Sequence, residues 1–150
     1  MEIERKYLIS NIPFDINQYK YHSIQQAYLC TDPVIRIRRQ DDEFFLTYKG
    51  EGLIEREEYN LPLNRESYNH LLKKADGNVI TKKRYLIPLD TAHTIELDVF
   101  EGFKKGLVLA EVEFRSRDEA DNFTPPEWFG EDVTFDTAYH NSTMSKEKIV

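Results

Sequence analysis

Acidic and basic side chains recur at every second position along this chain. The series runs Glu2, Glu4 and Lys6; Arg36 and Arg38; Thr47 and Lys49; Arg56 and Glu58; Lys82 and Arg84; Glu96 and Asp98; Glu111, Glu113 and Arg115. A period of two is that of a β-strand, whose successive side chains point to opposite faces. For one pair, such as Arg36 and Arg38, a solvated strand face is the ordinary reading. Repetition over seven segments weakens it, because solvated faces draw on Thr, Ser, Gln and Asn, and alternating Glu is a poor strand former. The other parity is apolar: Ile35 and Ile37, Leu46 and Tyr48, Tyr59 and Leu61, Ile95, Leu97 and Val99, Val112 and Phe114. Carboxylates and cations gathered on one enclosed face are costly unless paired, hydrated or ligated. Hard carboxylate oxygens suit Mg²⁺ or Mn²⁺, and no Cys/His cluster competes for a softer metal. Arg and Lys suit phosphate oxygens. The combination describes a site for a metal-bound polyphosphate.

Strands are what must position such residues. The pattern predicts them at 1–9, 24–30, 33–39, 44–49, 54–61, 79–87, 93–101 and 107–115. Pro13 to Tyr21 reads as a short crossing. A helix is expected from Asn64 to Ala75, capped by Asn64, with Tyr68, Leu71, Leu72 and Ala75 as its apolar stripe and Gly77 just past its end. Ser116-Arg117-Asp118-Glu119 has the form of a capping box opening a short helix that Pro125-Pro126 stops. The remainder, through Trp128 and Tyr139, reads as short helices and turns. An amphipathic helix needs an apolar surface to cover, and the apolar strand parity offers one. With helices outside, the charged parity points inward. The expected class is α+β: an eight-stranded antiparallel barrel with a charged lumen and a few helices packed outside. No linker, repeat or low-complexity run interrupts residues 1–150, which are read as a single domain.

Composition narrows the partners. At 150 residues, with 40% hydrophobic and 13% aromatic content, the chain has material for a core. No apolar stretch reaches the ~20 residues of a membrane span, and MEIERKYLI lacks a signal-peptide pattern. The one cysteine, Cys30, points to a reducing cytoplasm. A net charge of −7 argues against nucleic acid, where a basic face carries affinity. The apolar outer parity exceeds what two short helices cover, which makes a homodimer the expected assembly.

The sequence resembles the CYTH superfamily, the triphosphate tunnel metalloenzymes. The family's N-terminal Glu-x-Glu-x-Lys is present as Glu2-Ile3-Glu4-Arg5-Lys6. In order follow Arg36-Ile37-Arg38, Leu46-Thr47-Tyr48-Lys49, Arg56-Glu57-Glu58-Tyr59, Lys82-Lys83-Arg84-Tyr85, Glu96-Leu97-Asp98-Val99 and Glu111-Val112-Glu113-Phe114. The resemblance implies an eight-stranded tunnel with Mg²⁺ or Mn²⁺ as cofactor. The activity it implies is metal-dependent hydrolysis of the terminal phosphoanhydride bond of a triphosphate, foremost inorganic tripolyphosphate. It implies Glu2, Glu4, Glu58, Asp98, Glu111 and Glu113 as metal-binding acids. Arg36, Arg38, Lys49, Lys82 and Arg84 stand as substrate-binding cations, with Arg56 beside them on the charged parity. Lys6 is expected at the terminal phosphoryl group or leaving oxygen, and Tyr28, inward on the next strand, to assist orientation. Two positions depart from the family pattern: Asn60 stands where a second inward acid is common, and His140 where a basic residue often lies between Tyr and Asn. An adenylate cyclase, a nucleoside or thiamine triphosphatase and a non-catalytic polyphosphate-binding module remain alternatives on the same scaffold. Gly50 and Gly52 are read as turn glycines, His22, His70 and His93 as surface residues, Cys30 as a packed thiol and Trp128 as a core anchor.

Overall fold

One antiparallel sheet carries the described part of the chain, residues 1–147 of a computed structural model. Its strands are β1 (Glu2–Leu8), β2 (Tyr21–Thr31), β3 (Val34–Gln40), β4 (Glu43–Lys49), β5 (Glu55–Arg56), β6 (Glu58–Leu63), β7 (Asp76–Pro88), β8 (Thr94–Glu101) and β9 (Val108–Glu113). They lie in the order β5-β1-β9-β8-β7-β2-β3-β4-β6. The two outermost strands, β5 and β6, are separated in sequence by Glu57 alone, so the ends of the sheet meet and it closes into a barrel. The expected strand at 54–61 is therefore present but broken. Its first part pairs with β1 through Glu2↔Arg56, and its second with β4 through Lys49↔Glu58. Nine strands replace the expected eight because this one strand switches partners at Glu57.

Register places the charged parity on one face all the way round. Cross-strand partners share a face, and the pairs include Glu4↔Glu113, Lys6↔Glu111, Glu96↔Glu111, Arg84↔Asp98, Gln26↔Arg38, Arg36↔Thr47 and Lys49↔Glu58. That face is the lumen. The apolar parity faces outward and is covered from two sides. Helix α1 (Arg65–Leu72) lays Tyr68, Leu71 and Leu72 against Ala27, Ile37 and Phe44. Helix α2 (Arg117–Asp121) and the chain after it lay Ala120, Phe123, Trp128 and Phe129 against Ile3, Tyr7, Leu97 and Val112. His93, expected as a surface residue, joins the β7–β8 turn to α2 by pairing with Asp90 and Glu119. The outer parity behind the homodimer expectation is thus mostly covered; Tyr59 and Leu61 on β6 stay exposed.

Local chemistry sets the helix ends. Asn64 caps α1 by accepting from the Ser67 backbone N–H at 2.7 Å, while the Ser67 hydroxyl accepts from the Asn64 N–H at 3.0 Å. Ser116 caps α2 by accepting from the Glu119 N–H at 3.1 Å. Helix α1 stops at Leu72, short of the expected Ala75, and Gly77 belongs to β7 instead of a helix end. Its φ is +72°, and a Cβ there would stand 2.1 Å from the Ser145 carbonyl oxygen. Only glycine admits both the conformation and that close approach. The segment beyond α3 (Asn141–Met144) docks against β7 at this point.

That docking closes one end of the barrel. Beyond Lys6, Lys82, Asp98 and Glu111 the inward parity continues as Leu8, Ile80, Phe100 and Leu109. These pack with Val133 and Met144 into an apolar plug. The lumen is a charged cup with an oily floor.

Candidate active site

The cup encloses about 300 Å³, at the small end of the range for ligand sites. Its wall includes Glu2, Glu4, Lys6, Tyr28, Arg36, Arg38, Lys49, Arg56, Glu58, Arg84, Glu111 and Glu113. Two of the expected site residues are not on it. Lys82 and Asp98 are fully buried and pair with each other at 2.7 Å. The physical reason is Arg84, whose Nε and Nη2 bond the Asp98 carboxylate at 2.7 and 2.9 Å, and whose other contacts reach Glu96 at 3.1 Å and Glu111 at 3.2 Å. Asp98 is used up as the keystone of a buried ion cluster beneath the cavity, and it carries Lys82 with it. Arg115, counted with the inward cations, is exposed and borders a separate recess with Met1, Leu86 and Thr94.

The cations divide into two sets. Lys6 pairs with Glu111 at 3.4 Å, Lys49 with Glu2 at 2.9 Å and Glu58 at 3.4 Å, and Arg84 as above. Among the described residues Arg36, Arg38 and Arg56 form no ion pair. Arg56 donates to the Gly50 carbonyl at 3.0 Å, Arg38 to the Gln26 amide oxygen, and the Arg36 Nε is buried without a partner. Burial, and then the neighbouring Arg36 and Arg84, lower Arg38 to about 9. Three arginines with their charge unspent converge on one cavity, which is the electrostatic description of an anion site.

The acids divide likewise. Burial alone would raise Glu111, but Lys6, Arg84 and Lys82 hold it well below the usual carboxylate range. Glu2 is pushed up to about 8 by burial and by Glu4. Burial would also raise Glu58, but a hydrogen bond with Glu2 and the charge of Lys49 pull it down to about 2. These two acids titrate as a pair around one lysine. Burial raises Glu4, with Glu111 adding to it, and raises Glu96 and Glu113 as well. Like-charged acids directly opposite on a ladder, as Glu4 and Glu113 are, destabilise the sheet. A divalent cation bound beside them would relieve this, and carboxylate oxygens are the hard donors that Mg²⁺ and Mn²⁺ prefer. Among the described residues no three carboxylates or histidines close into a cage on their own. That fits an ion held by one or two acids and completed by water and phosphate oxygens, the habit of Mg²⁺.

Several wall residues lay outside the expected site. Glu96 was legible by parity. Gln26, behind the wall at Arg38, shares that parity but carries no charge to draw attention to it. Thr134, Asn141 and Ser142 come from the irregular C-terminal segment, where no periodicity exists to read. Thr134 accepts from the Lys6 backbone N–H at 3.0 Å, and the Lys6 ammonium donates to the Tyr139 carbonyl at 3.2 Å. His140 lines the cavity, and burial together with Lys6 lowers its pKa. Asn60 accepts from the Thr47 hydroxyl at 2.6 Å and donates to Glu58 at 3.0 Å, so the missing acid is replaced by an amide that braces the remaining one.

The profile of the CYTH domain matches residues 1–148. A relative from Nitrosomonas europaea, described as an inorganic triphosphatase, is 39% identical over 96% of each chain. One from Acetivibrio thermocellus, described in the same words, is 34% identical over 97% of this chain and 93% of its own. A crystal structure of an inorganic triphosphatase, 36% identical, superposes with a TM-score of 0.74 over 100% of this chain and 97% of that one. A Hippeastrum protein with a dominant triphosphatase activity is 16% identical and shares the fold, with a TM-score of 0.64 over 81% of this chain and 83% of its own.

Proposed function

The chain belongs to the CYTH domain family, and from that premise we propose that it is a metal-dependent inorganic triphosphatase. It hydrolyses tripolyphosphate to pyrophosphate and orthophosphate. The observation that carries this reading is the division of the lumen. Among the described residues Arg36, Arg38 and Arg56 have no acid partner, and they share the cavity with Glu2, Glu4 and Glu113, whose ionised forms burial disfavours. The small volume favours a ligand that is little more than its phosphates. Both relatives described as inorganic triphosphatases cover nearly the whole chain.

In this mechanism Arg36, Arg38 and Arg56 bind the phosphate oxygens and orient the chain of phosphorus atoms. The Lys6 ammonium, held between Glu111 and the Tyr139 carbonyl, lies beside the terminal phosphoryl group. Water displaces pyrophosphate in line at the terminal phosphorus. Charge spreads over the equatorial oxygens and the leaving oxygen, and stabilising it is the main task in this chemistry. Tyr28 hydrogen-bonds a phosphate oxygen and fixes its orientation. Glu2, Glu4, Glu58, Glu111 and Glu113 are the acids from which one or two would hold each Mg²⁺ or Mn²⁺ ion, which would supply Lewis acidity and neutralise phosphate charge. Asp98 acts at one remove, by fixing Arg84, and Lys82 by pairing with Asp98. A free small molecule as substrate in the cytoplasm, with neither nucleic acid nor membrane as partner, and residues 1–150 acting as one unit complete the proposal.

The test is a turnover panel of tripolyphosphate, ATP, thiamine triphosphate and pyrophosphate, with Mg²⁺ or Mn²⁺ and then with EDTA. Orthophosphate release from tripolyphosphate that is lost with EDTA is expected. No metal-dependent turnover of any triphosphate would overturn the reading, and cyclic AMP from ATP would replace it.

A further inference from the structure

Gln26 is fully buried, uncharged, and bonded to two side chains of the cavity wall. It stands directly opposite Arg38 on the β2–β3 ladder, as Tyr28 stands opposite Arg36. Its amide oxygen accepts from Arg38 Nε at 3.0 Å and Nη2 at 2.8 Å, and its nitrogen lies 3.4 Å from the Tyr28 hydroxyl.

The direction of this chain of bonds is fixed by donor chemistry. A guanidinium offers only donors, so the amide must turn its oxygen toward Arg38. The amide nitrogen then faces Tyr28 and donates to it. With its oxygen accepting, Tyr28 keeps its own proton for an acceptor inside the cavity. Arg38 is gripped along one edge, which leaves Nη1 without a protein partner among the described residues. The choice of an amide matters. Arg84 shows the alternative, a guanidinium whose charge is absorbed by Asp98, Glu96 and Glu111. Gln26 orients its arginine without that loss.

We propose that Gln26 is a positioning residue for triphosphate binding: one amide aims Arg38 and Tyr28 so that both donate to phosphate oxygens, and leaves the arginine charge uncancelled. The inference rests on the reading of the lumen as a triphosphate site.

Two substitutions separate orientation from charge. Gln26→Met keeps the volume and removes all three hydrogen bonds. Gln26→Glu keeps the shape, compensates the Arg38 charge, and turns the Tyr28 hydroxyl to donate its hydrogen bond to the new carboxylate instead of into the cavity. Both raise KM for tripolyphosphate, Gln26→Glu the more, by about ten- to a hundredfold, as expected for a hydrogen bond to a charged group. The kcat changes less, because the lost interaction is made in the ground state and transition state alike. In an Arg38→Leu, Tyr28→Phe background the same changes add no more than about twofold. A packing role alone would lower the melting temperature and cost the same factor in either background, and that result overturns the proposal. So does an unchanged KM in both variants. Should Gln26→Glu not fold, Gln26→Met carries the comparison.

Calorimetric titration with tripolyphosphate and Mg²⁺ keeps the two readings apart. Wild-type protein that binds without turnover overturns the triphosphatase and leaves the Gln26 effect readable in Kd. Wild-type turnover with Gln26 variants of unchanged KM overturns the positioning role alone. Absence of both binding and turnover removes both.

Discussion

Glu4 on β1 and Glu113 on β9 stand directly opposite each other across an antiparallel ladder, and among the described residues neither forms an ion pair. Burial raises the pKa of each, and neighbouring acids add to the shift. Like charges opposite on a ladder destabilise a sheet, and a divalent cation bound between the two carboxylates would relieve that cost.

Glu4→Gln removes one side of that repulsion. Metal-free protein is expected to gain about 0.2–1 kcal/mol, seen as an equal or higher melting temperature in EDTA. Tripolyphosphate turnover falls by about a hundredfold or more, since metal assistance is worth several kcal/mol in the transition state. Unchanged turnover would take Glu4 out of the metal-binding set.

The pH dependence of the metal-free protein has a definite sign. Glu2 is raised from 4.5 to about 8, and Glu4, Glu96 and Glu113 are raised in the same direction. A carboxyl raised on folding keeps a proton that the unfolded chain has lost, so its stabilisation is present at low pH and is lost as the pH climbs to 8. His93, raised by the hydrogen bonds its ring donates to Glu119 and Asp90, works in the same sense, while His140, lowered chiefly by burial, opposes it. Glu58, pulled down to about 2, contributes stability that is lost only below 4.5. Melting temperature in EDTA should therefore fall from about pH 5 to about pH 8. Mg²⁺ should raise it more at the upper end, where the ligands are ionised. A steady rise across that window without metal contradicts the assignment.

Arg36 offers a test with two readouts of opposite sign. Among the described residues its Nε is buried without a partner, a cost that a bound anion would offset. Arg36→Met should raise KM for tripolyphosphate about ten- to a hundredfold while leaving the unliganded protein as stable as before or more so. A fall in stability with unchanged KM would make Arg36 a structural residue.

Asp98 holds Lys82 and Arg84 with no solvent to share the work; the side chains of Asp98 and Lys82 are both 0% exposed. Asp98→Asn strands the buried Lys82, whose ion pair is with Asp98, weakens the hold on Arg84, and should cost about 3–5 kcal/mol in urea denaturation. A loss below about 1 kcal/mol would remove the keystone role.

Alternation determined much of this protein before any coordinates. Period-two charge from Glu2 to Arg115 established antiparallel strands with an inward charged face, because side-chain direction along a strand follows from backbone geometry alone. Asn64 and Ser116 marked their helix starts, because capping is a local exchange of hydrogen bonds. What alternation could not decide is which inward residues reach the cavity. Parity assigns a face but no height along the barrel axis, so Asp98 and Lys82 share a parity with Glu4 and yet lie beneath the wall. Nor could it pair charges across strands distant in sequence, and those pairings leave Arg36, Arg38 and Arg56 unspent while Arg84 is consumed. The break at Glu57 that closes the sheet and the docking of residues near Ser145 onto Gly77 are likewise long-range contacts, invisible to any local window. Local geometry chose the chemistry of the lumen; tertiary register chose which of its charges remain available to a ligand.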